Sequence, residues 1–137
     1  MYNKIMVAMA LDHGVSEQTL TIAKALLNEG GEIVGLHVHE APEGSVRAYV
    51  DEKTIAAGFE KARTDMSAKL AGHPEINGVL VEGHSARAII DYAASHDVDC
   101  IVLGSHKPGL SDYFLGSTSA RVVRHAPCAV HVHRSDT

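Results

Sequence analysis

Residues 104–128 read GSHKPGLSDYFLGSTSARVVRHAPC. Gly104 follows a short apolar run, Cys100 to Leu103. Two more glycines stand at 109 and 116, and Ser117-Thr118-Ser119 then opens a helical stretch that Pro127 stops. A strand, a glycine-rich loop and a helix start in that order suit an anion. Glycines allow close backbone approach, and the helix start offers N–H groups, positive dipole character and three hydroxyls. His106 and Lys107 add donors or charge. Gly104 and Gly109 have P-loop spacing, but Leu110 stands where the lysine belongs, so an ordinary P-loop triphosphatase is not expected. The bland alternative is that the glycines only turn the chain and Ser117 only caps a helix.

Upstream of this stretch, apolar runs of strand length alternate with segments of helical period. Ile5 to Ala10 is a near-continuous apolar run, as expected of a parallel strand buried on both faces. Ser16 can cap a helix with Leu20, Ala23, Leu26 and Leu27 on one side, and Gly30-Gly31 should end it. A second strand is expected over Ile33 to Val38, then a loop from Glu40 to Asp51. Ile55, Phe59, Ala62, Met66 and Leu70 recur at steps of three and four. They predict a long amphipathic helix whose stripe is core, closed by Gly72-His73-Pro74. Val79 to Val81, Cys100 to Leu103 and Cys128 to Val132 complete five strands, with helices at Ser85 to Ser95 and Ser117 to His125. Five strands separated by four helices imply right-handed crossovers and an open, all-parallel sheet covered on both faces. Such sheets bind ligands beyond the carboxyl ends of their strands, where the strand order reverses. Periodicity does not give that order.

The 137 residues fit a single domain over 1–137, with 45% hydrophobic and 21% charged residues that exclude wholesale disorder. Twelve Lys and Arg against seventeen Asp and Glu leave a net charge of −5. That balance argues against binding a nucleic-acid backbone. Four Tyr, two Phe and no Trp leave few platforms for stacking single-stranded bases. Cys100 and Cys128 form neither a CxxC pair nor a zinc quartet and read as reduced, buried thiols. The apolar run from Ile5 to Leu11 is too short for a signal peptide, and none is long enough to span a membrane. The expected location is cytoplasmic.

The 104–128 stretch, the opening KIMVAMALDHG, LHVHE at 36–40 and VEGHSARAIIDYA at 81–93 together resemble the universal stress protein family over nearly the whole chain. The family's ATP-binding branch carries a glycine, two residues, a second glycine, nine residues, then Gly-Ser or Gly-Thr. Here Gly104 and Gly116-Ser117 supply the ends, while Lys107 occupies the second glycine and eight residues intervene. S-H-K-P followed by Gly109 and YFLGS resembles a variant of the branch in which S-H-R-P or S-H-K-P replaces that glycine.

The resemblance implies an adenine-nucleotide alpha hydrolase-like sheet in the order 3-2-1-4-5, with ATP or AMP, and Mg2+, at the ends of the first and fourth strands. It implies that Ala8 and Ala10 line the nucleoside and that the backbone of Val38 reads adenine. It places Gly104, Gly116, Ser117, Thr118 and Ser119 at ribose and phosphates. Family members usually carry Asp where this chain has Ala10; Asp12 follows two places later. The resemblance also implies a homodimer in which the fifth strand, with Cys128, Val130, His131, Val132 and His133, pairs with its symmetry mate. An unpaired apolar edge is a physical motive for the same pairing. Imidazolium formation below about pH 6.5, the ordinary histidine value, should loosen it.

The pairs His37/His39 and His131/His133 each set two imidazoles on one strand face, about 6.6–6.8 Å apart. A metal site, an edge to the adenine pocket from His39 and Glu40, and plain half-buried histidines are the readings open to them. Three functions remain in view. The first is a nucleotide-binding stress regulator in which occupancy shifts the 105–115 loop and a surface for an unidentified protein partner. The second is a dimeric interaction module without nucleotide. The third is a slow ATPase or phosphotransferase, for which no residue pair in the loop reads as general base and oriented nucleophile. A phospho-receiver domain would need a phosphoacceptor Asp after the third strand, where Glu82-Gly83-His84 stand. A flavodoxin-like site would need serines and aromatics that Asp12-His13-Gly14 does not supply.

Overall fold

The computed structural model describes residues 1–9, 17–40, 44–105 and 116–134. In chain order the elements are β1 (Tyr2–Ala8), α1 (Glu17–Leu26), β2 (Leu27–His39), α2 (Gly44–Arg47), α3 (Glu52–Leu70), β3 (Ile76–Glu82), α4 (Ser85–Ser95), β4 (Cys100–Ser105), α5 (Ser117–His125) and β5 (Ala129–Arg134). All strand pairings are parallel, and the order is β3-β2-β1-β4-β5.

The central strands are apolar because both faces are covered. Met6, Val34, Leu36, Ile101 and Leu103 pack with Ile89 and Ala93 of α4 and Val122 of α5. On the opposite face Ile5, Val7, Ile33, Cys100 and Val102 pack with Leu20 and Ala23 of α1 and Leu70 of α3. The crossovers leading toward β3 thus lie on one face and those leading toward β5 on the other. The reversal falls between β1 and β4, so a crevice opens at their carboxyl ends.

Several sequence expectations shift. Gly30-Gly31 does not end the first helix, which stops at Leu26; both glycines lie inside β2. Tyr2 pairs with Leu27 and Lys4 with Glu32, so three extra residues of β2 bulge there, with Gly30 at φ +80°. A glycine pair in a strand marks this kind of bulge as readily as a helix stop. The expected 40–51 loop contains α2, a single helical turn, so the helical segments number five among the described residues. β3 starts at Ile76, three residues before its expected bound, because Asn77 and Gly78 are exposed on an edge strand.

The long helix forms as expected. Asp51 caps α3 by accepting from the Lys53 N–H at 3.1 Å. Its stripe is only partly core, with Ala62 and Met66 buried and Ile55, Phe59 and Leu70 half-buried. Gly35 and Gly78 are paired across β2 and β3 and let side chains pack close to the sheet. A Cβ at Gly35 would stand 2.7 Å from Met9 Sδ and 2.9 Å from Ile76 Cγ2; one at Gly78 would meet Leu70 Cδ1 at 2.7 Å. Among the described residues no helix is long and apolar enough to cross a membrane.

Candidate functional site

The carboxyl ends of β1, β2 and β4 bring Ala8, Val38 and Gly104 to one rim of the sheet. A strand's backbone groups alternate sides, so Leu36 and Val38 present theirs to the same edge. Leu36 O accepts from Met9 N–H at 2.8 Å, while His39 O, one residue out of phase, accepts from Gly83 N–H at 3.1 Å. The amide and carbonyl of Val38 therefore turn to the β1 side of β2, past Ala8, the last residue of β1. Ala8 is half-buried and the Val38 side chain is buried beneath the rim.

α5 runs back from the same rim, since it follows a parallel strand and returns to begin the next. Gly116 is its N-cap and, as a glycine, brings no side chain of its own to cap the helix. The first helical backbone bond runs from Ala120 N–H to Gly116 O at 2.8 Å. The N–H groups of Ser117, Thr118 and Ser119 therefore precede the intrahelical ladder, carrying the positive end of the helix dipole. Gly116 does not use glycine's conformational freedom, since φ −58° and ψ 155° suit any residue. Nor does Gly104 have a positive φ. Among the described residues, a Cβ on either glycine would meet no heavy atom within 4 Å. The lack of a side chain lets a partner group come close to the backbone at both positions.

Ala10, Asp12, His106, Lys107 and Gly109 lie outside the described residues. The structure brings together the ends of the β strands and the start of α5. His39 and Glu40 are engaged elsewhere. The His39 ring meets the edge of Phe59 at 5.9 Å between centroids. The Glu40 carboxylate accepts from both the N–H and the hydroxyl of Ser85, each at 3.0 Å. These bonds, the backbone one foremost, hold its carboxyl below the usual range, with the charge of nearby His84 contributing least. Glu40 thereby fastens the end of β2 to the start of α4, where the N-cap residue His84 makes no side-chain cap bond. No local pattern announces this pair, since the partners are 45 residues apart. His37 ties the rim to the end of β1, its Nδ1 lying 2.9 Å from Met9 O.

Both cysteines are free thiols, Cys100 buried and Cys128 half-buried. Burial pushes each thiol up, which makes both poor nucleophiles near neutral pH. Within one chain, no three metal-ligating side chains cluster among the described residues. A groove of about 350 Å3 between α3 and β3, lined by Arg63, Met66, Leu70, Ile76 and Leu80, lies off the strand ends and contains no acid–base pair.

The profile of the universal stress protein family matches residues 1–134. A universal stress protein of Methanothermobacter thermautotrophicus is 33% identical, with 98% of this chain and 97% of that protein covered. The solved structure of universal stress protein UspA from Lactobacillus plantarum superposes with a TM-score of 0.68 at 26% identity, covering 97% of this chain and 98% of that one. The universal stress protein of Archaeoglobus fulgidus, solved in complex with dAMP, shares the fold with a TM-score of 0.56 at 21% identity over 96% of this chain and 97% of its own.

Proposed function

Because this chain belongs to the universal stress protein family, we propose that it binds an adenine nucleotide, ATP or AMP, across the carboxyl ends of β1 and β4. The observation that carries this reading is the start of α5 at the sheet's reversal point, with a glycine as N-cap and three N–H groups ahead of the helical ladder. Phosphate oxygens would accept from the N–H groups and hydroxyls of Ser117, Thr118 and Ser119. Gly104 and Gly116 would let the ligand come close to the protein backbone, and the Val38 amide and carbonyl match the adenine edge. Relatives of the same fold hold dAMP, AMP or cAMP, which supports the ligand class. Lys107 and His106 would add charge beside the phosphates, with Mg2+ as a companion of ATP. The role that follows is regulatory: occupancy favours one surface presented to a protein partner.

We propose also that two copies pair through β5. The strand is laddered to β4 without a register break from Cys100↔Ala129 to Ser105↔Arg134. Residues 129–133 contain no proline or lysine to discourage pairing on the outer edge. Mass spectrometry of native, undialysed protein tests the nucleotide reading. An adenine nucleotide carried on the folded protein supports it, and protein that stays bare after incubation with millimolar ATP and Mg2+ overturns it.

A further inference from the structure

β5 is an edge strand whose two faces differ. Val130 and Val132 pack toward the α4/α5 core, so His131 and His133 project to the α1 face. Both are half-buried, and among the described residues neither belongs to a cluster of three metal-ligating side chains. His133 is already oriented: its Nε2 lies 3.2 Å from Gln18 Oε1 of α1. In the tautomer that donates from Nε2 to this amide oxygen, Nδ1 keeps its lone pair for a metal. A ligating histidine held by an oxygen on its other nitrogen is the usual outer arrangement of a metal site.

We infer that β5 carries half of a transition-metal site, which a second copy of this chain completes. This rests on the β5 pairing proposed above. Antiparallel pairing centred on Val132 sets His131 opposite the partner subunit's His133, and His133 opposite the partner subunit's His131. Opposed Cβ atoms then stand about 5 Å apart and successive same-face residues about 7 Å apart. Four imidazoles thus border one patch at the dyad. Four neutral nitrogen donors without thiolate or carboxylate select a borderline divalent ion such as Zn2+, Ni2+ or Cu2+ over Mg2+ or Ca2+. Gln18 acts as a positioning residue, fixing the tautomer of His133.

The test is calorimetric titration of the full chain with Zn2+ after EDTA treatment, with sedimentation in EDTA and in zinc. The expected result is one Zn2+ per two chains at micromolar affinity or tighter, bound by a dimer. His131→Ala with His133→Ala should weaken binding at least a hundredfold. Gln18→Ala should weaken it about tenfold or more, and Gln18→Glu, which keeps an acceptor oxygen, should restore it. Thermal melts in EDTA check that the variants fold. A Co2+ spectrum should lose its coordination bands in the double histidine variant. A dimer that binds no zinc overturns the metal site and leaves the pairing standing, whereas a monomer in both buffers overturns both. Zinc bound one per chain, or unaffected by the double substitution, places the metal on other histidines and overturns the inference.

Discussion

Replacing Gly116 with valine separates the helix start's role in the fold from its role toward a ligand. The backbone at this position is permissive, with φ −58° and ψ 155°, and no described residue has a heavy atom within 4 Å of an added Cβ. The folding penalty is that of a poor N-cap, about 0.5–1 kcal/mol, partly offset by the stiffer unfolded chain. For a chain of this length that lowers the melting midpoint by about 2–4 °C. In the proposed site the ligand penalty is larger, because a valine side chain would occupy the space through which phosphate oxygens reach the Ser117–Ser119 N–H groups. A hydrogen bond to a charged group contributes about 1.5–3 kcal/mol. Losing one therefore weakens ATP about tenfold to a hundredfold. Calorimetry with ATP and with adenosine, alongside a thermal melt, reads both effects. A folded Gly116→Val protein that binds ATP within twofold of the parent refutes the placement of phosphates at α5.

On the proposed placement of Lys107 beside the phosphates, Lys107→Ala should weaken ATP several-fold more than adenosine; equal losses in calorimetry place the lysine elsewhere. Gly35→Val forces branched carbons against Met9 Sδ and Ile76 Cγ2, already 2.7 and 2.9 Å from a lone Cβ. It should destabilise by about 1–3 kcal/mol in urea melts. Glu40→Gln removes a charged acceptor from the start of α4 and should cost at most about 1 kcal/mol, since the pair is exposed and screened. Because the folded carboxyl titrates below the ordinary 4.5, its stabilisation is present above that pH and fades as pH falls through the lowered value. Parent and variant melts should therefore converge in acid and differ near neutrality. Cys100, buried and with its thiol pushed up, should react with iodoacetamide far more slowly in native protein at pH 8 than in urea.

The alternation of elements was legible because the inner strands β1 and β4 are apolar runs and the longer helices are periodic, whereas the single turn α2 carries no such signal. The bounds of α4 and α5 follow directly from Ser85, Ser95, Ser117 and Pro127. Strand order came only through the family resemblance, since periodicity carries no information about which strands become neighbours. Gly30-Gly31 misled because a bulge and a helix stop recruit the same residue for the same backbone freedom. Gly35 and Gly78 passed unremarked, as their need for close packing exists only once β2 and β3 are paired. The glycines and hydroxyls of the site were visible as a local pattern. The Glu40–Ser85 bond and the Gln18–His133 contact were not, because tertiary folding alone joins those residues.

The central claim, a nucleotide site at the end of β1 and β4, meets its most direct test in titration of nucleotide-free protein with AMP and with Mg2+–ATP by calorimetry. Saturable binding of one nucleotide per chain at roughly micromolar affinity is expected, because several helix-start donors converge on one anion. Adenosine should bind more weakly, and GTP should compete poorly. No heat and no thermal shift at millimolar ATP or AMP would contradict the account and leave the chain an interaction module.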